Sequence, residues 1–399
     1  MGKQGRLIVG AAMNLVTKTS TSWFSRLGGA LTGALFGLVL LIVAIVALFW
    51  NESRSIETYK SLEEGLSIVV TTDASRVDPA LDRKLVHIES DVVPTADVVD
   101  PETGISVSGA IGLARKVEIY QWVEEKSSTT EKKLGGGEET VTTYSYSKEW
   151  SEKAQDSSEF KEPAGHENPD FWLPSSETLV DTAQLGAFSV AGSQIASVGA
   201  RVALPITNET AAEASEALGY PGEGRAVMQA LYFGADEKAP QIGDTKVRFE
   251  KIMLPEVSIV GMQHGDRLTE YTTQNGYTLF LLAAGREPFA KMFADSQAEN
   301  VVLTWAIRLA GIFALFVGFA LILRIFSVIG DVIPFVGSLI AFGTGLVSFV
   351  MALAVGVTVI AIGWFAVRPL LSIGLIVVVA AVVWAYSKYG RKKPVAPAA

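Results

Sequence analysis

The residues whose types could do chemistry are few, and the three histidines come first. His87, His166 and His264 all lie between residues 51 and 300, and the chain contains no cysteine. His166 precedes a glutamate but lacks the second histidine that a zinc-binding H-E-x-x-H helix requires. We expect His87 to be an ordinary strand residue, His166 a loop residue bonded to backbone, and His264 part of a turn. The sequence therefore predicts neither a metal site nor a catalytic residue.

Acidic side chains and glycines on a predicted hairpin give no catalytic motif either. The acids Glu118, Glu124, Glu125 and Glu149 can pair across the hairpin with Lys126 or Lys148. The glycines at 135–137 are followed by two glutamates, which would repel a phosphate. The sequence also lacks the G-x-S-x-G, dinucleotide-binding and kinase motifs. We expect no cofactor and no enzyme activity. An enzyme that acts on envelope substrates through His87 and His166 is the least favoured of the three functional hypotheses, after the scaffold and the channel described below.

Arg308 is the one charge inside a long apolar segment, at 301–323. An ionisable residue at membrane depth is a functional candidate by default, and here it could mark an ion path or an interface charge. In the alternative interpretation, Arg308 extends to the lipid headgroups or pairs with an acid such as Glu299.

Four apolar segments are long enough to cross a membrane. Leu27 to Trp50 is a charge-free run of 24 residues, and about 20 apolar residues cross a hydrocarbon core of roughly 30 Å. It is too long for a signal peptide, so we predict an uncleaved anchor. The predicted transmembrane helices are residues 27–50, 301–323, 335–362 and 370–386.

The distribution of charge predicts the orientation. Residues 1–50 hold four Lys or Arg and no acid, and residues 51–300 carry 22 Lys or Arg against 41 Asp or Glu. Lys and Arg beside a span favour the cytoplasm, so we expect residues 1–26 and the basic tail 387–399 to be cytoplasmic. The acidic middle region is then extracytoplasmic. The same acidity excludes a nucleic-acid partner held by a basic face.

Residues 51–300 are predicted to form a β-rich domain with helical stalks at both ends. The runs at 66–70, 84–88, 117–123 and 141–146 are rich in β-branched and aromatic residues, which is typical of strands. The third and fourth runs should pair as a hairpin with a mobile tip at 127–139. The predicted fold class is an α+β membrane protein with four transmembrane helices and a large extracytoplasmic domain between the first and second.

Two features predict association. Gly29, Gly33 and Gly37 recur every four residues in the first span, and small residues let helices approach closely in a membrane. Aromatic residues on the hairpin offer an interaction surface: Tyr120, Trp122, Tyr144, Tyr146 and Trp150. We expect a homo-oligomer that contacts the lipid bilayer and other, unidentified membrane or envelope proteins.

Several blocks of the sequence resemble the transmembrane protein 43 family. They occur in order from about residue 40 to 370 and include Asn51-Glu52-x-Arg54, Leu62-x-Glu64-Gly65, Val117-Glu118-Ile119-Tyr120-Gln121-Trp122-Val123-Glu124, Gly165-His166-x-Asn168-Pro169, Thr304-Trp305-x-x-Arg308 and Arg368-Pro369-Leu370. The block at 117–124 is the most specific.

The resemblance implies four spans, a large lumenal domain and no established catalytic residue. It also implies self-association and, in animals, residence in the endoplasmic reticulum and inner nuclear membrane, nuclear-envelope partners and an effect on ion conduction. The cysteine-free composition, rich in alanine and glycine, favours a bacterial member with a periplasmic domain on the inner membrane. The leading functional hypothesis is a self-associating membrane scaffold, and the alternative is an ion channel or channel subunit.

Overall fold

The computed structural model describes residues 15–365 except 221 and 223, and a few single positions beyond 365. Its helices are α1 (Trp23–Ile68), α2 (Gly192–Ile195), α3 (Asn208–Ala217), α4 (Phe289–Gly330) and α5 (Pro334–Trp364). The helix predicted at 370–386 and the tail 387–399 lie outside the continuously described residues.

The strands between and before these helices are mostly short, with β7 and β8 as the long exceptions. In chain order they are β1 (Leu15–Thr21), β2 (Val70–Thr71), β3 (Leu85–Asp91), β4 (Val93–Pro94), β5 (Val98–Val99), β6 (Ser106–Val107), β7 (Gly112–Lys132), β8 (Glu138–Ser151), β9 (Ser176–Leu179), β10 (Thr182–Leu185), β11 (Phe188–Ala191), β12 (Ala200–Leu204), β13 (Arg225–Val227), β14 (Ala230–Phe233), β15 (Thr245–Met253), β16 (Glu256–His264), β17 (Arg267–Thr269), β18 (Tyr271–Thr272), β19 (Thr278–Leu279) and β20 (Leu281–Ala284).

The chain divides into two compact units. The first contains Leu62–Ser128, Thr142–Asp295 and the residues up to Thr17. The second contains Lys18–Ser61, Thr129–Val141 and the chain from Ser296 onward. The second unit thus holds the apolar helices together with the tip of the β7–β8 hairpin.

The first unit is built on two sheets, one with antiparallel pairs such as β7–β15 and one that also contains the parallel pairs β2–β3 and β11–β17. One has the strand order β1-β8-β7-β15-β14-β13, with β12 also paired to β15 and β9 to β7. The other has the order β2-β3-β16-β17-β11-β10-β4, with β20 also paired to β16. In the first half of β15, Thr245, Val247 and Phe249 are buried and alternate with more exposed residues, as expected where one face of a sheet covers a core. That core includes Ile88, Phe188, Phe249 and Ile259.

The two predicted stalk regions are helical, because α1 continues beyond the first span and α4 begins before the second. α1 continues three residues beyond Gly65, to Ile68. A side chain at Gly65 would place its Cβ 2.9 Å from the Phe293 ring. Glycine is therefore needed here for close packing of two segments rather than as a helix terminator.

The apolar helices of the second unit are longer than the predicted spans. Among the residues that the structure describes, three helices are long and apolar enough to cross a membrane: α1, α4 and α5. They contain the predicted spans 27–50, 301–323 and 335–362. Pro334 occupies the first turn of α5, where its missing N–H costs nothing.

The hairpin region differs from its prediction. β1, which precedes the first span, pairs with β8 and extends the sheet. The hairpin has longer strands than predicted, and its tip is bonded to other residues of the second unit. The Gly135 N–H, for example, donates to the carbonyl of Val332 at 3.2 Å. A glycine-rich composition predicts flexibility only when nothing binds the segment.

Candidate functional site

A buried ion pair joins α1 to α4. Glu52 follows the apolar part of α1, and the Arg308 guanidinium donates to both of its carboxylate oxygens, Nε to Oε1 at 2.7 Å and Nη2 to Oε2 at 2.6 Å. Glu52 is 0% exposed and Arg308 only 9%. The acid that pairs with Arg308 is therefore Glu52 and not Glu299. A two-point contact of this kind fixes direction as well as distance.

Aromatic side chains enclose this pair. The indole N–H of Trp364, at the end of α5, also donates to Glu52. The Arg308 guanidinium carbon lies 4.9 Å from the Trp305 ring centroid and 5.8 Å from that of Trp364. A Cβ at Gly363 would come within 2.6 Å of the Glu52 side chain, so glycine allows the close approach of α5. Three apolar helices thus meet at one charged point.

A polar network continues from the ion pair along α1 and α4. Asn51 donates to the carbonyl of Thr304 at 3.2 Å, and the Thr304 hydroxyl donates to the Ser55 hydroxyl at 2.9 Å. Asn300 donates to the Ser55 carbonyl at 3.0 Å, and Arg54 donates to the Thr304 hydroxyl at 3.1 Å. Hydrogen bonds between side chain and backbone on facing helices fix their register.

A second charged cluster, which we call the tip cluster, consists of Arg26, Lys132, Glu138 and Asp331. Asp331 lies between α4 and α5 and is 0% exposed. It accepts from Lys132 at 2.7 Å and is also paired with Arg26, whose guanidinium lies 2.8 Å from Glu138. The tip cluster therefore joins the start of α1, the α4–α5 connection and the hairpin tip.

The ionisation of Asp331 matches this role. Burial of the carboxyl opposes its ionisation, but the hydrogen bonds from Lys132 and Arg26 outweigh burial, so the pKa of Asp331 lies below its usual value. A Cβ at Gly337 would fall on the Asp331 carboxylate, which leaves room only for glycine in the first turn of α5. Asp331 is thus held charged at neutral pH by two cations.

The glycines of the first span do not share one environment. A Cβ at Gly37 would lie 2.7 Å from the carbonyl oxygen of Gly318 on α4, and one at Gly33 would lie 3.8 Å from Leu321. Gly29 has nothing within 4 Å. Gly37 therefore allows α1 and α4 to approach within the chain, whereas Gly29 faces away from the described helices.

The comparisons with known proteins agree with this architecture. The family model for Transmembrane protein 43 matches residues 119–369. The chain is 30% identical to human Transmembrane protein 43 over 79% of both chains. The chain belongs to the transmembrane protein 43 family.

Other members of the family extend the match. Transmembrane protein 43 of Mus musculus is 29% identical over 93% of this chain and 94% of its own length, and the Drosophila melanogaster homologue is 27% identical over 71% and 75%. No solved structure matches the chain at a significant level. With three apolar helices and relatives named as transmembrane proteins, the chain is a membrane protein.

The predicted aromatic surface of this family member is partly internal. Tyr146 is buried, stacks on His166 with ring centroids 3.9 Å apart, and donates its hydroxyl to Glu124. Burial, together with that hydrogen bond, raises the pKa of Tyr146 to about 12. Tyr146 is therefore a packing residue and not part of an open surface. Tyr120, Trp122, Tyr144 and Trp150 are half-buried.

The histidines occupy the predicted kinds of position. His87 is buried in β3, where its Nε2 lies 3.0 Å from the Glu287 carbonyl oxygen and its Nδ1 3.3 Å from the Thr71 hydroxyl. His166 Nδ1 lies 2.9 Å from the Glu162 carbonyl oxygen. His264 ends β16 and is exposed. No group of metal-binding side chains occurs among the described residues.

His87 makes stability dependent on pH. Its burial holds the pKa of the ring below the ordinary imidazole value, although the Glu287 carbonyl and the Glu89 carboxylate act in the opposite direction. The stabilising effect is complete above the unfolded pKa of about 6.5 and declines as pH falls below it. We expect the melting temperature to fall between pH 7 and pH 5.

A matched pair of variants tests this assignment. His87→Gln keeps a donor for the Glu287 carbonyl but cannot be protonated, so it should flatten the pH dependence. His264→Gln, at an exposed position, should leave the pH dependence unchanged. An equal pH dependence in wild type and His87→Gln would show that another group is responsible.

The sequence singled out Asp331 as a charge near membrane depth but not its partners, and it did not identify Glu52 as the partner of Arg308. Each had a usable signal, since Glu52 lies two residues after a charge-free span and Asp331 is the single acid after residue 300. An acid at such a position requires a cation nearby, because a buried charge is costly unless paired.

Proposed function

We propose that this family member is a membrane-anchored scaffold that associates with copies of itself and organises membrane or envelope proteins and lipids. The observation that carries the proposal is the open glycine surface of α1 at Gly29. Apolar side chains gain little by leaving lipid for another helix, so membrane helices associate through close backbone packing at small residues. Among the described residues, nothing lies within 4 Å of a Cβ at Gly29, whereas a Cβ at Gly37 would meet the Gly318 carbonyl of α4.

Two further features support an interaction protein. β1 is the terminal strand of its sheet, and a terminal strand offers unpaired backbone groups to another chain. The histidines that could serve an enzyme are engaged in structural contacts instead, His87 with the Glu287 carbonyl and His166 with the Tyr146 ring. We therefore propose a function without catalysis and without a cofactor.

The channel alternative was based on Arg308 and on the glycine-rich third span, and the contacts of Arg308 give it less support. Arg308 is paired at two points with Glu52, and Trp305 and Trp364 cover the pair. A charge that is neutralised and enclosed attracts no ion from solution. The pair is better suited to fix α1 against α4.

We also propose the orientation with both termini in the cytoplasm and a fourth span at 370–386. The cations that flank the predicted spans support it. In a bacterial member the domain is then periplasmic, and in a eukaryotic member it lies in the lumen of the endoplasmic reticulum or nuclear envelope.

Two glycine substitutions test the scaffold proposal. Gly29→Leu should reduce the oligomeric fraction in mild detergent without lowering the melting temperature, because its side chain meets open space. Gly37→Leu should instead destabilise the fold by about 1–3 kcal/mol, since overpacking forces the helices apart. Mass measurement and thermal unfolding distinguish the two effects.

A monomeric wild-type protein would contradict self-association. An oligomer that is unchanged in Gly29→Leu would show that the Gly29 surface is not the contact. Only in the first case would the function have to be sought in the single chain.

A further inference from the structure

The β7–β8 hairpin has a polar arm that extends beyond its sheet. β7 pairs with β15 only as far as Ile119, opposite Thr245, so residues 120–132 continue without β15. From residue 125 to 132 every side chain is polar or charged, and all eight are exposed. The cross-strand partners Ser128 and Thr142 maintain the hairpin, with their hydroxyls 3.1 Å apart.

The tip of this arm lies at the N-terminal end of α1. Within the second unit, Arg26 donates to the carbonyl of Gly136, and Lys132 pairs with Asp331. A Cβ at Gly136 would fall against the Trp23 ring, so the turn packs directly on the first residue of the helix. These contacts involve backbone, buried charge and an aromatic ring together, which fixes the tip at this end.

The chain segment that leads to the hairpin leaves the C-terminal end of the α1 span, whereas the hairpin tip packs on the N-terminal end of α1. α1 is one continuous helix, and the 26 residues from Arg26 to Glu52 correspond to about 39 Å at 1.5 Å per residue. Residues 27–50 between them form the charge-free span. Once α1 crosses the bilayer, Arg26 and Glu52 lie on opposite faces. Residues 51–131 contain no further apolar segment that could return the chain.

We propose that the β7–β8 arm crosses the bilayer in contact with water and places its tip on the face where α1 begins. The length is sufficient, because residues 120–124 still bond to the first unit, and the ten residues from 125 to 134 extend about 33 Å at roughly 3.3 Å per residue. A hydrocarbon core is roughly 30 Å thick. This inference is independent of which face is cytoplasmic, since it follows from the continuity of α1 and the contacts of the tip.

Water contact follows from the chemistry of the arm. Non-helical backbone at membrane depth occurs only where it is buried in protein or lines a water-filled space. The side chains at 125–132 are exposed in the single chain and include four charges, Glu125, Lys126, Glu131 and Lys132. Contact with hydrocarbon would leave these groups unsolvated at prohibitive cost. The crossing does not rest on the self-association proposed above.

Single cysteines test the crossing, because the natural chain has none. Leu134→Cys marks the tip, Met228→Cys the domain and Ile333→Cys the α4–α5 connection; these side chains are 87%, 87% and 57% exposed. A membrane-impermeant maleimide is added to sealed vesicles from one face or the other. Leu134→Cys should react from the same face as Ile333→Cys and from the opposite face to Met228→Cys.

A second pair of cysteines tests contact with water. Ser127→Cys lies about 20 Å from the turn along the arm, and Val347→Cys lies exposed on the apolar surface of α5. The thiolate is the reactive form and needs water, so a charged thiosulfonate should modify Ser127→Cys about ten-fold faster or more. Lys133→Cys repeats the tip measurement in case Leu134→Cys disturbs folding.

Two results would overturn the proposal. One is labelling of both tip cysteines from the face that labels Met228→Cys. The other is a Ser127→Cys as unreactive as Val347→Cys. Neither result depends on the oligomeric mass, so failure of this inference is distinguishable from failure of the scaffold proposal.

Discussion

Arg308→Ala should destabilise the protein by about 3–5 kcal/mol, the usual cost of removing one partner from a buried ion pair. The cost arises mainly because the Glu52 carboxylate, which is 0% exposed, would remain buried with only the Trp364 indole as a donor. A neutral amide is easier to bury, so Glu52→Gln combined with Arg308→Ala should recover part of the lost stability.

Thermal unfolding in detergent measures this effect, and Arg324→Ala is the matched control. Arg324 lies on the same helix as Arg308 but is exposed, so its removal should change stability little. Glu52→Gln, Arg308→Ala and their double variant form a thermodynamic cycle, and its coupling energy isolates the contribution of the ion pair. A zero coupling, or an equal effect of Arg308→Ala and Arg324→Ala, would mean that the pair does not hold α1 against α4.

The spans and stalks were predictable because their signal is local. A charge-free run such as 27–50 has one physical solution in a membrane, since a helix satisfies its own backbone groups. The strand character of 117–123 and 141–146 was equally local, and the structure extends both runs into β7 and β8. The sequence could therefore predict the elements that depend on local composition and periodicity.

The partners of the charged residues were not predictable, since sequence distance does not give spatial distance. Glu52 and Arg308 are separated by 256 positions, and Arg26 and Asp331 by 305. The tip was misinterpreted for the same reason, because its three glycines predict mobility unless a distant group binds them. Only the packing of α1, α4 and α5 shows that Asp331 is available to hold it.

The first unit contains a buried ion pair of its own. Its removal therefore tests the stability of this unit apart from the packing of the apolar helices. Arg115 on β7 is 1% exposed and donates to Asp100, which is 0% exposed, and to Glu102 at 2.9 Å. Asp100 also accepts from the Thr103 N–H at 2.9 Å and from the Thr103 hydroxyl at 2.7 Å. The ion pair thus fixes the turn at 100–104 against the sheet, entirely within the first unit.

Arg115→Met should therefore destabilise the domain by about 3–5 kcal/mol, because a side chain of similar length leaves the Asp100 carboxylate buried without its cation. The control is Arg201→Met on β12, a strand separated from β7 by β15. It removes a solvent-exposed pair with Glu177 and should cost about 0–1 kcal/mol. Asp100→Asn combined with Arg115→Met should be more stable than Arg115→Met alone, since the amide oxygen still accepts from Thr103 but carries no charge. Protease resistance during denaturant titration measures the domain directly. If Arg115→Met and Arg201→Met lose stability equally, burial does not determine the contribution of this ion pair, and the turn at 100–104 is held by its hydrogen bonds to Thr103.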